Sequence, residues 1–600
     1  MPVGVELDDS GTHILIEADW RLKELCKSLP GATYDAKTRF WRLPVSWSAC
    51  LALRSTFQKD LVLGERLTQW AFSERTNRIE PANILRDLEV LPDGQGDQDL
   101  FPHQRAGVEF LTTARRALLA DEPGLGKTAQ AIRALKRFQD GGEQVFPALI
   151  VCPNTLKKNW QREFARWWPG VNVEVIKGTA TQRRKQFEKE GVDVYAINWE
   201  SLRAHSRLSG YGSIALARCA SCGGHNEGIS ENRCEVHERE LNKINFKAVV
   251  ADEIHRSKDP KSKQTRALWS ASGDADIRFA LTGTPIARDV LDLWSILHWL
   301  DPKEFPSKTR WIDRMIDTML NAFGGLMVLG VKPHMEAEFY ASINPRMRRM
   351  LKARVLPWLP EMMFERRDIE MSAKQKKAYE QMRDNMIAEL ESGGAVVAPS
   401  VLTQTVRLLQ FASALAEEKI DDRSGEVKLV LSEPSCKVDA LMDDIKSGDF
   451  GDDSVAVCAV SRQLIELLSA RLTKDGIKHG LITGAQSEDQ RQTAIDDFQS
   501  GRIKWILFTA QAGGVGVTLT AARRLVMLQR PWSLVDHKQA LDRIHRIGSE
   551  IHDSVIIMDY VTEGTIEERV LEVLESKADN FEQIVRDKEK LLSILKDKKQ

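Results

Sequence analysis

The stretch that most constrains this chain is Asp121–Thr128, which reads DEPGLGKT. It follows the apolar run Arg116–Ala120 and precedes the helix-like segment Ala129–Leu135, so we expect a loop between a buried strand and a helix. A glycine-rich loop in that position binds phosphate, because its amides and the first turn of the helix point at the anion. The loop therefore predicts a nucleotide site; the alternative is a surface turn with an exposed lysine.

The residues of this loop suit separate tasks. Gly124 and Gly126 let the backbone wrap closely around an anion. Lys127 can reach the β- and γ-phosphates, and the hydroxyl of Thr128 can bind Mg²⁺. Asp121 stands where the common pattern has its first glycine.

Composition limits the class of protein. The 600 residues suggest about four domains of ~150 residues each. Apolar residues make up 42% and charged residues 28%, as in soluble globular proteins, and no run reaches the ~18 apolar residues of a membrane span. The formal net charge is -1, so a polyanion would have to be bound by local basic patches.

Cysteine usage bears on the compartment. Eight cysteines in a chain of this length do not suggest a disulfide framework, which favours a reducing, intracellular environment. Met1–Ser10 has no basic start followed by an apolar run, so we expect no secretory signal. We expect a cytoplasmic, nucleoid-associated protein in a prokaryote or virus and a nuclear one in a eukaryote.

Short apolar strands alternate with helical stretches from Leu100 onward, which predicts a parallel sheet with helices on both faces. After the strand before the loop, the expected strands are Pro147–Cys152, Asp193–Ile197, Lys247–Ala251 and Phe279–Leu281. Functional residues of such sheets lie at the carboxyl ends of the strands.

Two carboxylates stand at one of these ends. Asp252 and Glu253 directly follow the third of those strands. Beside a phosphate loop they suit two tasks: Asp252 can hold Mg²⁺, and Glu253 can polarise the attacking water. The alternative is a solvated acidic turn. Thr282 and Thr284 follow the next strand, where the residues by themselves indicate only a turn.

A second α/β region begins near Val438 and has no phosphate loop of its own. Its expected strands are Ser454–Val460, Ile477–Thr483, Ile503–Thr509, Leu525–Gln529 and Ser554–Tyr560. Arg543 and Arg546 are three residues apart, so on a helix they share a face and can converge on one triphosphate. The alternative is a solvated basic face. A site divided between two domains couples hydrolysis to domain closure.

The order of these motifs over about residues 100–575 resembles the superfamily-two, helicase-like ATPases of the Swi/Snf type. The resemblance implies two RecA-like lobes with a helical insertion between them, and it implies an arginine finger at Arg546. It explains Asp121, because that family has an aspartate in this position. Pro123, Leu534 and Ser549 depart from the family pattern without removing a catalytic group.

The resemblance also implies a set of site residues. The catalytic residues are Lys127, Asp252, Glu253, Arg543 and Arg546. Those that bind ATP are Gln104, Asp121, Gly124, Leu125, Gly126, Lys127, Thr128 and Gly516, with Thr128 and Asp252 on Mg²⁺. Those that contact nucleic acid are Lys157, Asn159, Trp160, Thr282, Thr284, Thr509 and Trp532.

Residues 1–60 predict a small α+β domain, with a strand at His13–Glu17, a helix at Trp20–Ser28 and a hairpin at Ala32–Pro44. The hairpin is similar to the HARP domain of annealing helicases. It mixes aromatic and basic side chains, which either bind nucleic acid or belong to the core of the domain: Tyr34, Arg39, Trp41 and Arg42.

The remaining boundaries follow from the same pattern. We expect a helical connector at 61–98, a first lobe at 99–300, a helical insertion at 301–433, a second lobe at 434–575 and a C-terminal helical brace or tail at 576–600. The basic cluster Met347–Arg354 in the insertion either grips a duplex or forms a solvated helix face.

A metal site is expected in an insert of the first lobe, at about residues 210–240. Cys219, Cys222, Cys234 and His237 form two short ligand pairs joined by a loop, as in a structural site for tetrahedral Zn²⁺. His225 is an alternative fourth ligand.

These features together predict a monomeric, ATP-dependent translocase on double-stranded or branched DNA, with ATP, Mg²⁺ and structural Zn²⁺. It would remodel DNA structures or protein–DNA complexes, by strand annealing or fork remodelling. One alternative is a strand-separating DNA or RNA helicase. Another, of a different class, is a nucleic-acid-binding scaffold without catalysis.

Overall fold

The computed structural model of this chain describes residues 2–218, 234–285, 290–320, 326–385, 387–389, 395–397, 401–420, 427–511, 517–531 and 534–568. The chain divides into two units, Met1–Pro357 and Trp358–Gln600.

The first unit begins with a five-stranded sheet of order β3-β4-β2-β1-β5. Its strands are β1 (Val3–Leu7), β2 (His13–Glu17), β3 (Thr33–Asp35), β4 (Phe40–Pro44) and β5 (Leu61–Leu63). Helices α1 (Lys23–Ser28) and α2 (Trp47–Phe57) complete it. Alternate residues of β1 and β2 are buried in a separate apolar core, which explains their period-two pattern. The sheet extends past the expected boundary at residue 60, because β5 pairs with β1.

A helical connector follows, as expected. It consists of α3 (Glu65–Glu74), a π-helical turn (Arg75–Ile79) and α4 (Glu80–Asp87).

The main body of the first unit is a seven-stranded sheet of order β14-β6-β11-β10-β7-β9-β8, parallel throughout. Its strands are β6 (Arg116–Leu119), β7 (Ala148–Cys152), β8 (Val173–Val175), β9 (Val194–Asn198), β10 (Ala248–Asp252), β11 (Ile277–Leu281) and β14 (Met347–Arg348). Its central strands are buried over their whole length, which is why they read as apolar runs rather than as alternating patterns.

Helices surround this sheet, and a hairpin, β12 (Ile316–Leu320) with β13 (Leu326–Val331), lies outside it. The helices are α5 (Pro102–Ala114), α6 (Lys127–Asp140), α7 (Lys157–Trp167), α8 (Ala180–Phe187), α9 (Trp199–His205), α10 (Glu240–Lys243), α11 (Lys263–Ala271), α12 (Asp292–Leu300), α13 (Lys308–Met315), α14 (Glu336–Ile343) and α15 (Lys352–Val355).

The N-terminal sheet is joined to this body by buried ionic groups. The carboxylate of Glu304, 4% exposed, accepts hydrogen bonds from the amides of Trp47 (2.9 Å) and Ser48 (2.7 Å) at the start of α2. It also accepts one from the guanidinium of Arg346 at 2.9 Å. A carboxylate at a helix N-terminus complements the helix dipole, so Glu304 fixes α2 to the main body.

The second unit contains a six-stranded parallel sheet of order β15-β24-β23-β20-β22-β21. Its strands are β15 (Glu361–Ile369), β20 (Val455–Ala459), β21 (His479–Ile482), β22 (Trp505–Thr509), β23 (Arg524–Met527) and β24 (Ser554–Thr562). Two small hairpins are β16 (Ile387–Glu389) with β17 (Ala395–Val397), and β18 (Leu415–Ile420) with β19 (Val427–Ser432). The helices are α16 (Ala373–Asn385), α17 (Val401–Ser413), α18 (Cys436–Ser447), α19 (Arg462–Lys474), α20 (Glu488–Gln499) and α21 (Leu534–Leu541).

The expected helical insertion at 301–433 contains helices, among them α16 and α17, but it also contains strands. This stretch supplies β14 to the sheet of the first unit and β15 to the sheet of the second, and the boundary at Pro357 falls inside it. A helix long and apolar enough to cross a membrane is absent from the described ranges.

Candidate active site

The loop Asp121–Thr128 connects β6 to α6, and α6 begins at Lys127. Gly124 and Gly126 have φ values of 89° and 78°, a region that glycine adopts at little cost. The ammonium group of Lys127 donates to the carbonyl oxygen of Asp121 at 2.6 Å. The predicted strand–loop–helix is confirmed.

Three side chains converge on the carbonyl oxygen of Leu125 in this loop. The amide nitrogens of Gln104 (3.2 Å) and Gln130 (3.1 Å) donate to it, and Nε2 of His103 lies at 3.3 Å. A Cβ at Gly126 would collide with the side chain of Gln104. The structure therefore brings Gln104 against the phosphate loop, as the nucleotide assignment requires.

Asp121 faces the protein rather than the space above the loop. Its side chain is fully buried; one carboxylate oxygen accepts the amide of Met350 at 2.9 Å, and the other accepts the amide group of Gln130 at 3.4 Å. One carboxylate oxygen therefore holds the loop to the residues after β14 and the other holds it to α6, and the expected contact of Asp121 with ATP stays a prediction.

The basic cluster around β14 is likewise internal. Arg348 is fully buried and donates to the carbonyls of Leu85 (2.8 Å) and Leu88 (2.7 Å). Arg349 donates to the carbonyls of Ala120 (3.1 Å) and Gly283 (3.2 Å). The expectation of a helix that grips a duplex or faces solvent is wrong for these two arginines, because they join the ends of β6 and β11 and the connector.

Asp252 ends β10 beside the phosphate loop. One oxygen of its carboxylate accepts the amide of Glu253 at 3.0 Å, and the other accepts the indole N–H of Trp160 at 3.0 Å. The indole N–H of Trp199 donates to the backbone oxygen of Asp252 at 2.8 Å. Burial, and then the charge of Glu253, raise the pKa of Asp252, whereas the Trp160 hydrogen bond and the charge of Lys127 lower it.

Glu253 lies at the centre of a second small network. Its φ of 53° is unusual for a residue other than glycine and is common at functional sites. Nδ1 of His255 lies 3.2 Å from its carboxylate and 3.1 Å from the hydroxyl of Thr282. That hydroxyl is 3.5 Å from the same carboxylate, so Thr282 and His255 orient Glu253.

Two residues expected to contact nucleic acid are instead buried. Trp160 is fully buried against Asp252, and Lys157, 6% exposed, donates to the carbonyl of Ile176 at 2.6 Å. The expectation that these two residues contact nucleic acid stays a prediction, and their side chains are engaged inside the protein. Asn159 is half-buried, and Thr284 is buried.

The second unit carries the remaining predicted residues. Helix α21 ends at Leu541, so Arg543 and Arg546 lie in the turns beyond it. The expectation that these two arginines share one face of a helix is therefore wrong. Arg543 is buried and donates to the carbonyl of Val517 at 3.1 Å, and Arg546 is half-buried. Thr509 is buried at the end of β22. Gly516 and Trp532 lie outside the described residues.

Comparison with known families decides the identity. The family described as "SNF2-related domain" matches residues 103–417, and "Helicase conserved C-terminal domain" matches residues 436–548. The chain belongs to the SNF2-related family. Its core sheet, phosphate loop and carboxylate pair fall inside the first match, and both arginines fall inside the second.

This SNF2-related chain spans only part of the length of the curated relatives that it matches. It is 26% identical over 559 residues to "Protein CHROMATIN REMODELING 5" of Arabidopsis thaliana, covering 88% of this chain and 30% of that protein. It is 27% identical over 525 residues to "Putative ATP-dependent helicase/translocase YwqA" of Bacillus subtilis, covering 85% of this chain and 51% of that protein. Among solved structures, it is similar to the "Sulfolobus solfataricus SWI2/SNF2 ATPase core in complex with dsDNA", with 22% identity, a TM-score of 0.37 and coverage of 83% of this chain and 95% of that one.

The predicted zinc ligands of this SNF2-related protein are only partly visible. Cys219, Cys222 and the alternative His225 lie outside the described residues. Cys234 is buried and His237 is half-buried. The described part of the chain contains no group of three or more His, Cys, Asp and Glu that can hold a metal ion, so the zinc site stays a prediction.

Sequence reasoning missed the residues that hold the site of this SNF2-related protein together. His103 and Gln130 contact the phosphate loop, and Trp199 contacts Asp252. Arg349 contacts the carbonyl of Ala120, directly before the loop. His103 directly precedes Gln104, and Gln130 lies two residues after Thr128. This closeness in sequence to predicted site residues is the signal that could have identified them.

Proposed function

We propose that this chain is an ATP-dependent translocase on double-stranded DNA that remodels DNA structures or protein–DNA complexes. The observation that carries the proposal is that the phosphate loop with Lys127 and Thr128 and the pair Asp252 and Glu253 follow strands of one parallel sheet at their carboxyl ends, where the charge of Lys127 acts on Asp252. The names of the relatives, a chromatin remodelling protein and a putative helicase/translocase, support the same class.

The residues of the first unit suit ATP hydrolysis. The amides at the start of α6 and the ammonium group of Lys127 would bind the phosphates. Thr128 and Asp252 are hydroxyl and carboxylate donors of the kind Mg²⁺ prefers, and the bound ion would neutralise charge on the phosphate oxygens. Glu253, oriented by His255 and Thr282, would hold the attacking water and accept its proton.

The second unit would supply Arg543 and Arg546 to the same triphosphate. An arginine stabilises the negative charge that develops on the transferred phosphoryl group. The proposed chemistry would then require groups from both units, which would couple hydrolysis to movement along DNA.

Contacts with branched DNA are proposed for the N-terminal hairpin. Tyr34 is 53% exposed and its ring centroid lies 5.4 Å from that of Trp41, whose side chain packs against the core. Lys37 and Arg39 are exposed on the same hairpin, so an aromatic face stands beside cationic groups. This arrangement supports fork remodelling or strand annealing.

The test is the rate of ATP hydrolysis with duplex DNA, single-stranded DNA, forked DNA and RNA, for wild type and Lys127→Ala. We expect stimulation by duplex or forked DNA in the wild type and none in the variant. Stimulation by RNA alone would refute the proposal. Wild-type hydrolysis no faster than that of Lys127→Ala would instead favour a non-catalytic scaffold, and efficient unwinding of a duplex would favour a strand-separating helicase.

We further propose a structural zinc site in the first unit. The amide of Glu235 donates to the carbonyl of Ala217 at 2.6 Å, so the two residues that flank the stretch containing Cys219, Cys222 and Cys234 are held together. Metal analysis should find one zinc per chain in the wild type and in Cys50→Ser, a cysteine distant in sequence, and less in Cys222→Ser. Wild-type protein without zinc would contradict the site.

A further inference from the structure

Trp160 contributes a buried hydrogen-bond donor to the candidate active site. The side chain projects from α7, is 0% exposed, and its indole N–H lies 3.0 Å from one carboxylate oxygen of Asp252. An indole has one polar hydrogen and no acceptor, so this contact is the hydrogen bond that a buried tryptophan needs.

The two oxygens of Asp252 are held from different directions. The other oxygen accepts the amide of Glu253, while the main chain of Asp252 is held through its carbonyl by the indole of Trp199. Trp160 follows β7 and Trp199 follows β9, so two helices that leave neighbouring strands each send an indole to the end of β10. Trp199 fixes the main chain, and Trp160 is the contact that fixes rotation of the carboxylate.

We infer that Trp160 is a positioning residue that orients the Asp252 carboxylate for divalent metal bound with the nucleotide. The inference rests on the proposed function, in which Asp252 helps to hold Mg²⁺. A carboxylate that is held in place before the metal arrives loses less rotational freedom on binding it. Groups behind metal ligands commonly tune metal affinity in this way.

The matched variants are Trp160→Phe and Trp167→Phe. Trp167 lies on the same helix, and its indole donates to Glu163 at 2.7 Å, away from Asp252. Both substitutions remove one indole N–H and keep an aromatic ring. They differ in which carboxylate loses its donor and in burial, because Trp167 is half-buried.

The measurement is the affinity for a fluorescent ATP analogue with Mg²⁺ and with EDTA. For Trp160→Phe we expect the Mg²⁺-dependent gain in affinity to fall about tenfold, the effect of losing one hydrogen bond to a charged group, while the affinity in EDTA stays at the wild-type value. Trp167→Phe should leave both affinities unchanged. In an Asp252→Asn background, Trp160→Phe should cause no further loss.

An Mg²⁺-dependent gain equal to that of the wild type in Trp160→Phe would overturn the inference. If the phenylalanine variant unfolds, a tryptophan analogue with sulfur in place of the indole N–H at position 160 keeps the shape and removes only the donor. A wild-type protein that binds the analogue with Mg²⁺ but does not hydrolyse ATP would contradict the proposed function, and the binding comparison would still decide the role of Trp160.

Discussion

Asp121→Ala should release the phosphate loop from the edge strand β14. The substitution removes the acceptor for the amide of Met350 at 2.9 Å and one acceptor of Gln130, and it removes a negative charge near the buried guanidiniums of Arg348 and Arg349. Removing one partner from a buried, hydrogen-bonded charge arrangement costs about 3–5 kcal/mol. Since about 1.4 kcal/mol corresponds to tenfold in an equilibrium constant, local opening should become at least ~100-fold more frequent.

Native-state hydrogen exchange reports this opening directly. The amides of Ala120 and Glu122 donate to the carbonyls of Arg348 and Met350, and their exchange should accelerate by that factor in Asp121→Ala. Asp121→Asn keeps an oxygen for the amide of Met350 and should show a smaller effect, worth about 1–2 kcal/mol. Exchange in Asp121→Ala as slow as in the wild type would refute the role given to this carboxylate.

Two further changes have defined outcomes. Gly283→Ala places a Cβ against the ring of Pro123 in the phosphate loop, so it should lower the free energy of unfolding by about 1–3 kcal/mol and slow ATP hydrolysis. Gly210→Ala has open space around the added Cβ and should have neither effect. Equal melting temperatures and hydrolysis rates for the two variants would contradict this packing. Burial, and then the charges of Arg530 and Lys538, lower the pKa of His537 to about 3, so the unfolded chain binds the proton more readily. Acidification from the ordinary histidine value of 6.5 to about pH 5 should therefore cost the wild type about 2 kcal/mol that His537→Gln does not lose, and parallel melting curves against pH would exclude it.

The buried strands of both sheets could be predicted because they are apolar over their whole length. β7, β9, β10 and β11 lie within one or two residues of their expected positions, and so do the five expected strands of the second unit, apart from small shifts at their ends. The phosphate loop and the carboxylate pair could be predicted for a similar reason: their chemistry depends on residues that are adjacent in sequence.

Two edge strands, β14 and β15, could not be predicted, because their sequences are not apolar. β15 is largely exposed and carries charged residues, and β14 contributes only two residues, one of them Arg348. Burial of Arg348 depends on carbonyl oxygens of residues 85–88, more than 250 positions earlier in the chain. A local pattern contains no information about such distant acceptors, so the arginines resembled a solvated helix face.

The same limit applies to Trp160 and to Arg543. An exposed tryptophan that stacks on a base and a buried one that orients a carboxylate look alike in sequence, because both are large aromatic residues near a strand end. Arg543 and Arg546 have helical spacing, but α21 ends at Leu541 and the backbone beyond it follows turns. The spacing of the two arginines does not show where the helix ends, so it could not reveal that they lie beyond it.

The contacts of Glu304 bear on whether the main body of the first unit can fold without the N-terminal sheet, for example after proteolysis or in a shortened gene. Without residues 1–63, Glu304 would lose the hydrogen bonds that it accepts from two amides of α2, while its ion pair with Arg346 would remain. Arg310 would lose the hydrogen bonds that it donates to the carbonyls of Leu29 and Ala32. A shortened chain would therefore expose the carboxylate of Glu304 and the guanidinium of Arg310 without the partners that they have in the folded protein. In evolutionary terms, these contacts favour inheritance of the N-terminal sheet together with the main body of its unit.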